Sequence, residues 1–114
     1  MTAIRHHFNN RMSEIVENQG TIYLAGQVGD VKDDIYLQTS QALENIEKLL
    51  QEVGSSKEKI LQATIWLSNI DDFEAMNSVW DKWLPLGAAP TRACGEVKLS
   101  DPGWLVEIII IAHK

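Results

Sequence analysis

Two charged residues near the end of the chain carry the most chemical content. Arg92 is one of only three arginines, with Arg5 and Arg11, and directly follows Ala89-Pro90-Thr91. Glu107 sits between Leu105 and Ile109 in an apolar run. A carboxylate among apolar neighbours is expensive unless it is paired or put to use. Two readings are open at this point: a structural ion pair at an oligomer contact, or a site that exploits both charges. Cys94 is the one cysteine, so no intrachain disulfide can form. With no histidine beside it in sequence, its thiol reads as an inert buried group. His6, His7 and His113 lack a ligand pattern, because adjacent strand residues point apart, and no metal site is expected.

Spacing places these residues on faces. If Ser100-Asp101-Pro102-Gly103 closes a hairpin with Leu99 opposite Trp104, then Ala93, Gly95, Val97 and Leu99 share a face with Trp104, Val106, Ile108 and Ile110. That apolar face belongs under helices. The other face carries Arg92, Cys94, Glu96 and Lys98 with Leu105, Glu107, Ile109 and Ile111. Glu107 then stands opposite Glu96, about 13 Å along the strand from the level of Arg92. The two charges of one chain should not touch. A shared site would need a neighbouring subunit, or water and substrate between them.

The elements that must hold these residues follow from periodicity. Residues 3–8 and 12–17 read as short strands, and 21–28 as a firmer one after the turn signal Asn18-Gln19-Gly20. Ile22, Leu24, Gly26 and Val28 share one face of that strand. Ile35, Ala42, Leu43, Ile46, Leu49, Leu50 and Val53 recur at helical spacing, predicting a helix over 33–53 with Asp33 and Asp34 in its first turn and Gly54 at its stop. A strand follows at 60–68, with Leu61, Ala63, Ile65 and Leu67 on one side and Gln62, Thr64 and Trp66 on the other. Asn69 or Asp71 caps a second helix over 71–84, with Phe73, Met76, Trp80 and Leu84 inward. The last strands are 91–99 and 104–112. This order predicts one α+β domain over 1–114, a two-layer arrangement of one sheet with two helices on one face. The uncovered face carries Trp66, Ile109 and Ile111, and a sheet-to-sheet oligomer is the economical cover.

Composition narrows the function classes. The chain has 114 residues, 45% of them hydrophobic, and a formal charge of −6. Its lysines are scattered among carboxylates, whereas a nucleic-acid partner calls for a basic stripe. No apolar run approaches the ~20 residues of a membrane span, and no signal-peptide pattern opens the sequence. A cytoplasmic protein without nucleic-acid or membrane partners is the expectation.

The run Ala89-Pro90-Thr91-Arg92-Ala93-Cys94 through Val106-Glu107-Ile108 resembles the C-terminal signature of the RidA/YjgF family. Leu24-Ala25-Gly26-Gln27-Val28 looks like that family's Ser-Gly-Gln motif, and Asp72-Phe73 through Met76-Asn77 resembles its second helix. The likeness spans nearly the whole chain, and is nearest to a short bacterial subgroup. It implies a chorismate-mutase-like fold, a homotrimer with clefts between subunits, and hydrolysis of 2-imino acids or enamines to 2-keto acids and ammonia without a cofactor. Carried over, Arg92 would bind the substrate carboxylate by two parallel hydrogen bonds. Backbone N–H groups of Gly26 and Cys94 would hold the same end, and Glu107 would position or deprotonate the attacking water. Asn77 would touch the cleft. Met12 and Ala25 stand where the family has a tyrosine and a serine, which makes the pocket more apolar. Binding of a 2-keto acid without turnover is the alternative these two residues favour. A ribonuclease, an older name for relatives, suits the acidic balance poorly.

Overall fold

The turn at Asn18-Gln19-Gly20 starts the sheet. In the computed structural model, which describes residues 2–114, Gln19 and Gly20 both have positive φ (52° and 83°). That is the backbone of a two-residue loop whose twist matches its strands. It joins β2 (Ser13–Asn18) to β3 (Thr21–Leu24), and β1 (Ile4–Phe8) pairs with the outer side of β2. Helix α1 (Ile35–Glu52) follows, then β4 (Ile60–Leu67), α2 (Phe73–Trp83), β5 (Thr91–Glu96) and β6 (Val106–His113). One mixed six-stranded sheet results, in the order β1-β2-β3-β6-β4-β5. Both helices pack on one face, and the fold is the two-layer α+β arrangement expected.

Helix α1 begins later than its acidic pair suggested. The Asp34 carboxylate accepts from Leu37 N–H as the N-cap, while Asp33 stands outside and takes the Gln41 amide at 2.8 Å. Gly54, at φ 77°, turns the chain out of the helix as its composition implied. Asn69 does cap the next helical segment, accepting from Asp71 N–H, but its first turn (Ile70–Asp72) is 3₁₀.

The expected hairpin of the last two strands does not form. β5 runs parallel to β4 at the sheet edge, and β6 lies on the other side of β4, antiparallel to it and to β3. Composition accounts for this placement. Val106 to Ala112 is a nearly unbroken apolar run suited to a centre with neighbours on both sides. β5 is short, contains Gly95 and two charges, and suits an edge. Alternation alone could not reveal the partner.

The new pairing reverses the faces of β5. Arg92 aligns with Ala63 and Cys94 with Ile65, both core residues, so Arg92 and Cys94 lie on the helix side. Ala93 and Gly95 lie on the open side. Leu61 also departs from its expected side. A register shift between Ile60 and Gln62 slips one residue out of the ladder and leaves Leu61 exposed. The rest of β4 alternates as read, with Ala63, Ile65 and Leu67 buried.

Residues 98–104 lie outside the ladder, between the backbone bonds of Val97 to Leu67 and of Ser68 to Leu105, and one buried side chain helps to hold them. Gln38 occupies the apolar stripe of α1 and is fully buried. Its Nε2 donates to the carbonyls of Asp33 and Gly103, both at 3.0 Å, and its Oε1 accepts from Leu105 N–H at 2.9 Å. Replacing it with leucine keeps the volume and strands two carbonyls and one N–H, each costing about 1–3 kcal/mol when buried without a partner. Asp33, Gly103 and Leu105 are only partly buried, so water recovers part of that loss, and Gln38→Leu is expected to lower unfolding free energy by about 2–5 kcal/mol. Urea denaturation with an unchanged midpoint would contradict this.

Candidate functional site

Arg92 and Glu107 lie on opposite faces of the sheet. Glu107 is level with Trp66 on β4, and Trp66 with Gly95 on β5, three residues beyond Arg92. Two strand spacings and three residues put their backbones roughly 14 Å apart, with β4 between them. The expected separation within one chain is present, for a different reason than a hairpin offset.

The Glu107 half of the site rests on a bulge. Tyr23 pairs with Ile111, but Gln27 bridges Ile108, so three residues of one strand oppose two of the other. The extra residue ends β3 at Leu24 and shifts the side on which the following residues fall. Gly26 therefore turns to the open face, not to the side of Ile22 and Leu24 as alternation suggested. A Cβ at Gly26 would lie 2.0 Å from Glu107 Oε2, so only glycine admits the carboxylate there. The Gly26 N–H has no hydrogen-bond partner among the described residues. Neighbouring Ala25 spends its own N–H on the Glu14 carbonyl at 2.9 Å. Glu107 is half-buried beside Trp66, Ile109 and Leu105, and no cation pairs with it among the described residues. Burial pushes its carboxyl above the usual carboxylate value.

The Arg92 half sits at the free edge. Val97 N–H donates to the Leu67 carbonyl, so odd-numbered residues of β5 bond to β4. In a parallel pair the alternate residues then point their N–H and C=O groups away. Arg92 and Cys94 therefore present open backbone N–H groups at the edge. The Arg92 guanidinium lies 5.6 Å from the ring centres of both Phe73 and Trp80 on α2. It has no carboxylate partner among the described residues. Asn77 lies between those rings in the helix sequence, and its Oδ1 is buried without a donor among the described residues. That oxygen is covered in the single chain. Burial raises the Cys94 thiol above its ordinary value, with the Arg92 charge only partly opposing it.

The remaining candidates lie elsewhere. Met12 is 44% exposed, just before β2. His6 bonds Glu17 and His7 bonds Glu52, each at 2.6 Å, with His7 at a positive φ of 51°. Glu17 also accepts from Lys114 at 3.0 Å, and these two contacts hold its carboxyl below the usual range. Among the described residues no group of three His, Cys, Asp or Glu side chains is placed to hold a metal. No helix among the described residues is long and apolar enough to cross a membrane. Sequence reasoning missed the rings around Arg92. It placed Phe73 and Trp80 inward, but with β5 misfaced it could not see what they meet.

These features define a small two-layer α+β domain with a lone guanidinium at one sheet edge and a lone carboxylate on its open face. The family model described as Endoribonuclease L-PSP matches residues 4–114. A RutC family protein of Haemophilus influenzae is 42% identical over 114 residues, covering 98% of each chain. The RutC family protein YoaB of Escherichia coli is 38% identical over 112 residues, again 98% of each. The crystal structure of a YjgF family member from Neisseria meningitidis matches with a TM-score of 0.97 at 39% identity, over 100% of this chain and 96% of that one. The chain belongs to this L-PSP family, whose members also carry the names RutC and YjgF.

The close approach of Gly26 to Glu107 makes a direct prediction. Gly26→Ala should drive the carboxylate out of its recess toward water. Its titration, followed by NMR of a labelled side chain, should move back toward the ordinary carboxylate value. An unmoved titration would mean that Glu107 does not sit against Gly26.

Proposed function

We propose that this protein hydrolyses small 2-imino acids, or the enamines that tautomerise to them, to 2-keto acids and ammonia, in clefts between subunits of a homotrimer. The observation that carries this reading is the pair of unmatched charges on opposite faces of one chain. Each lacks a partner among the described residues, and a second chain could bring the two together. Joining the β5 edge of one copy to the open face of the next is a heterologous contact, which gives a ring where its rotation closes and a filament where it does not. Three copies make the smallest such ring. The exposed Tyr23 and Trp66, with Ile109 and Ile111, supply the apolar surface it would bury.

In such a cleft the Arg92 fork binds the substrate carboxylate through two N–H donors. The free N–H groups of Gly26 and Cys94 add to that hold. Glu107 takes a proton from water as the water oxygen bonds to the imine carbon, and passes that proton to the imine nitrogen, giving a carbinolamine. Glu107 then moves the hydroxyl proton to the amino nitrogen as the C–N bond breaks, which releases ammonia, leaves the 2-keto acid and restores the carboxylate. A desolvated carboxylate is a stronger base than a solvated one, which suits this role. No cofactor enters the scheme.

Met12 and Ala25 favour a second reading, retention of a 2-keto acid without turnover. They carry a thioether and a methyl group where the family resemblance puts hydroxyls that would contact the imine nitrogen, and Ala25 directly precedes Gly26. Ribonuclease activity, which the family's name suggests, has less support. The charge of −6 offers RNA no basic groove.

The test uses imine generated in situ by an amino-acid oxidase. Glu107→Gln is expected to slow decay by roughly 10²–10⁴ while a 2-keto acid still binds and the trimer mass is retained. Arg92→Lys should weaken ligand binding nearly as much as Arg92→Ala, by about ten- to a hundredfold, because the fork is lost. A monomer in sedimentation, or unchanged decay in both variants, would sink the proposal. Binding in the absence of any decay would favour the second reading.

The wild-type rate should also fall on the acid side. Protonation of Glu107 removes the base, and its carboxyl titrates above the usual value. The acid limb of kcat/KM should therefore lie above the ordinary carboxylate pKa of about 4.3. A rate flat through that region would exclude Glu107 as the base.

A further inference from the structure

We propose that Phe73 and Trp80 are positioning residues for Arg92, holding its guanidinium by their ring faces in place of a carboxylate. This rests on the reading of Arg92 as the carboxylate binder. The guanidinium is equally distant from both ring centres, 5.6 Å, within cation–π reach. Arginine on an exposed edge strand is otherwise free to sample many rotamers, and ordering it on binding costs affinity.

An acidic partner would order it too, with a defect. It would occupy the N–H fork and repel an incoming carboxylate. A ring face attracts the charge while consuming none of the five donors. The fork is thus pre-oriented and open.

The rings are themselves held. Phe73 and Trp80 are seven residues apart on α2, two helical turns, and so share a face. Trp80 is only 4% exposed, and its ring centre lies 5.9 Å from that of Trp83. Trp83 donates its indole N–H to Glu47 on α1 at 3.1 Å. Lys57 sits 5.2 Å from the Trp83 ring and 3.9 Å from Glu47. Contacts thus run from α1 through Trp83 and Trp80 to Arg92. Sequence spacing alone marks Trp80 as core, and its second role appears only once β5 is placed under α2.

The test is calorimetry with 2-oxobutanoate and with its neutral amide, alongside steady-state imine hydrolysis. Phe73→Leu and Trp80→Leu should each weaken 2-oxobutanoate binding about five- to tenfold and raise KM similarly, with kcat within twofold. Amide binding should not change. Trp80→Phe, which keeps a ring, should restore most of the loss and keeps the test open if Trp80→Leu folds poorly. If Arg92→Ala weakens 2-oxobutanoate binding but Phe73→Leu does not, and Trp80→Leu (or Trp80→Phe in its place) lowers keto acid and amide binding alike or neither, the positioning role is wrong. If Arg92→Ala itself leaves 2-oxobutanoate affinity unchanged, the underlying assignment of Arg92 fails instead.

Discussion

The parallel pairing of β5 with β4 is the constraint from which the rest follows. A parallel neighbour cannot be reached by a tight turn, so residues 68–90 must cross over the sheet. The crossover carries α2 and lays it above the edge. Phe73 and Trp80 therefore stand over Arg92, and Cys94 joins the rim of the core. Had β5 turned back against β6, Arg92 would share the open face with Glu107. The two charges would then have had a route toward each other within one chain. Separation by face is what leaves both unmatched.

A lone carboxylate on a partly apolar face is a cost that packing would ordinarily remove. Here the backbone is shaped to admit it. The extra residue at Ala25-Gly26 interrupts β3 next to β6, and the missing side chain of Gly26 makes the recess. The same interruption frees the Gly26 N–H. Recess and donor arise from one local irregularity, set against the base on β6.

How much of this was legible in the sequence depends on the distance over which each residue acts. Helix α1, the turn at Gln19-Gly20 and the buried alternation of Ala63, Ile65 and Leu67 are local patterns, and the chain spells them out. Arg92 and Glu107 stood out as charges without local company. The partner of β5 was not legible, because alternation assigns faces only after pairing is known. Leu61 was misplaced for the same reason, since the slipped residue beside Ile60 has no signature of its own. Gln38 did leave a signal, an amide in the apolar stripe three residues after Ile35. Its meaning needed Gly103 and Leu105, more than sixty residues away, beside it.

The position of β6 bears on how the chain reaches this state at all. β6 follows every other element in sequence yet lies near the middle of the sheet, between β3 and β4. During synthesis the meander β1-β2-β3 and the crossover unit β4-α2-β5 emerge first, with no strand to join their sheets. Each has one strand edge unsatisfied until β6 arrives. Closure therefore depends on contacts distant in sequence, the kind that make folding slow and leave edges exposed to wrong partners. A nascent chain of this protein is two incomplete sheets waiting for their shared seam.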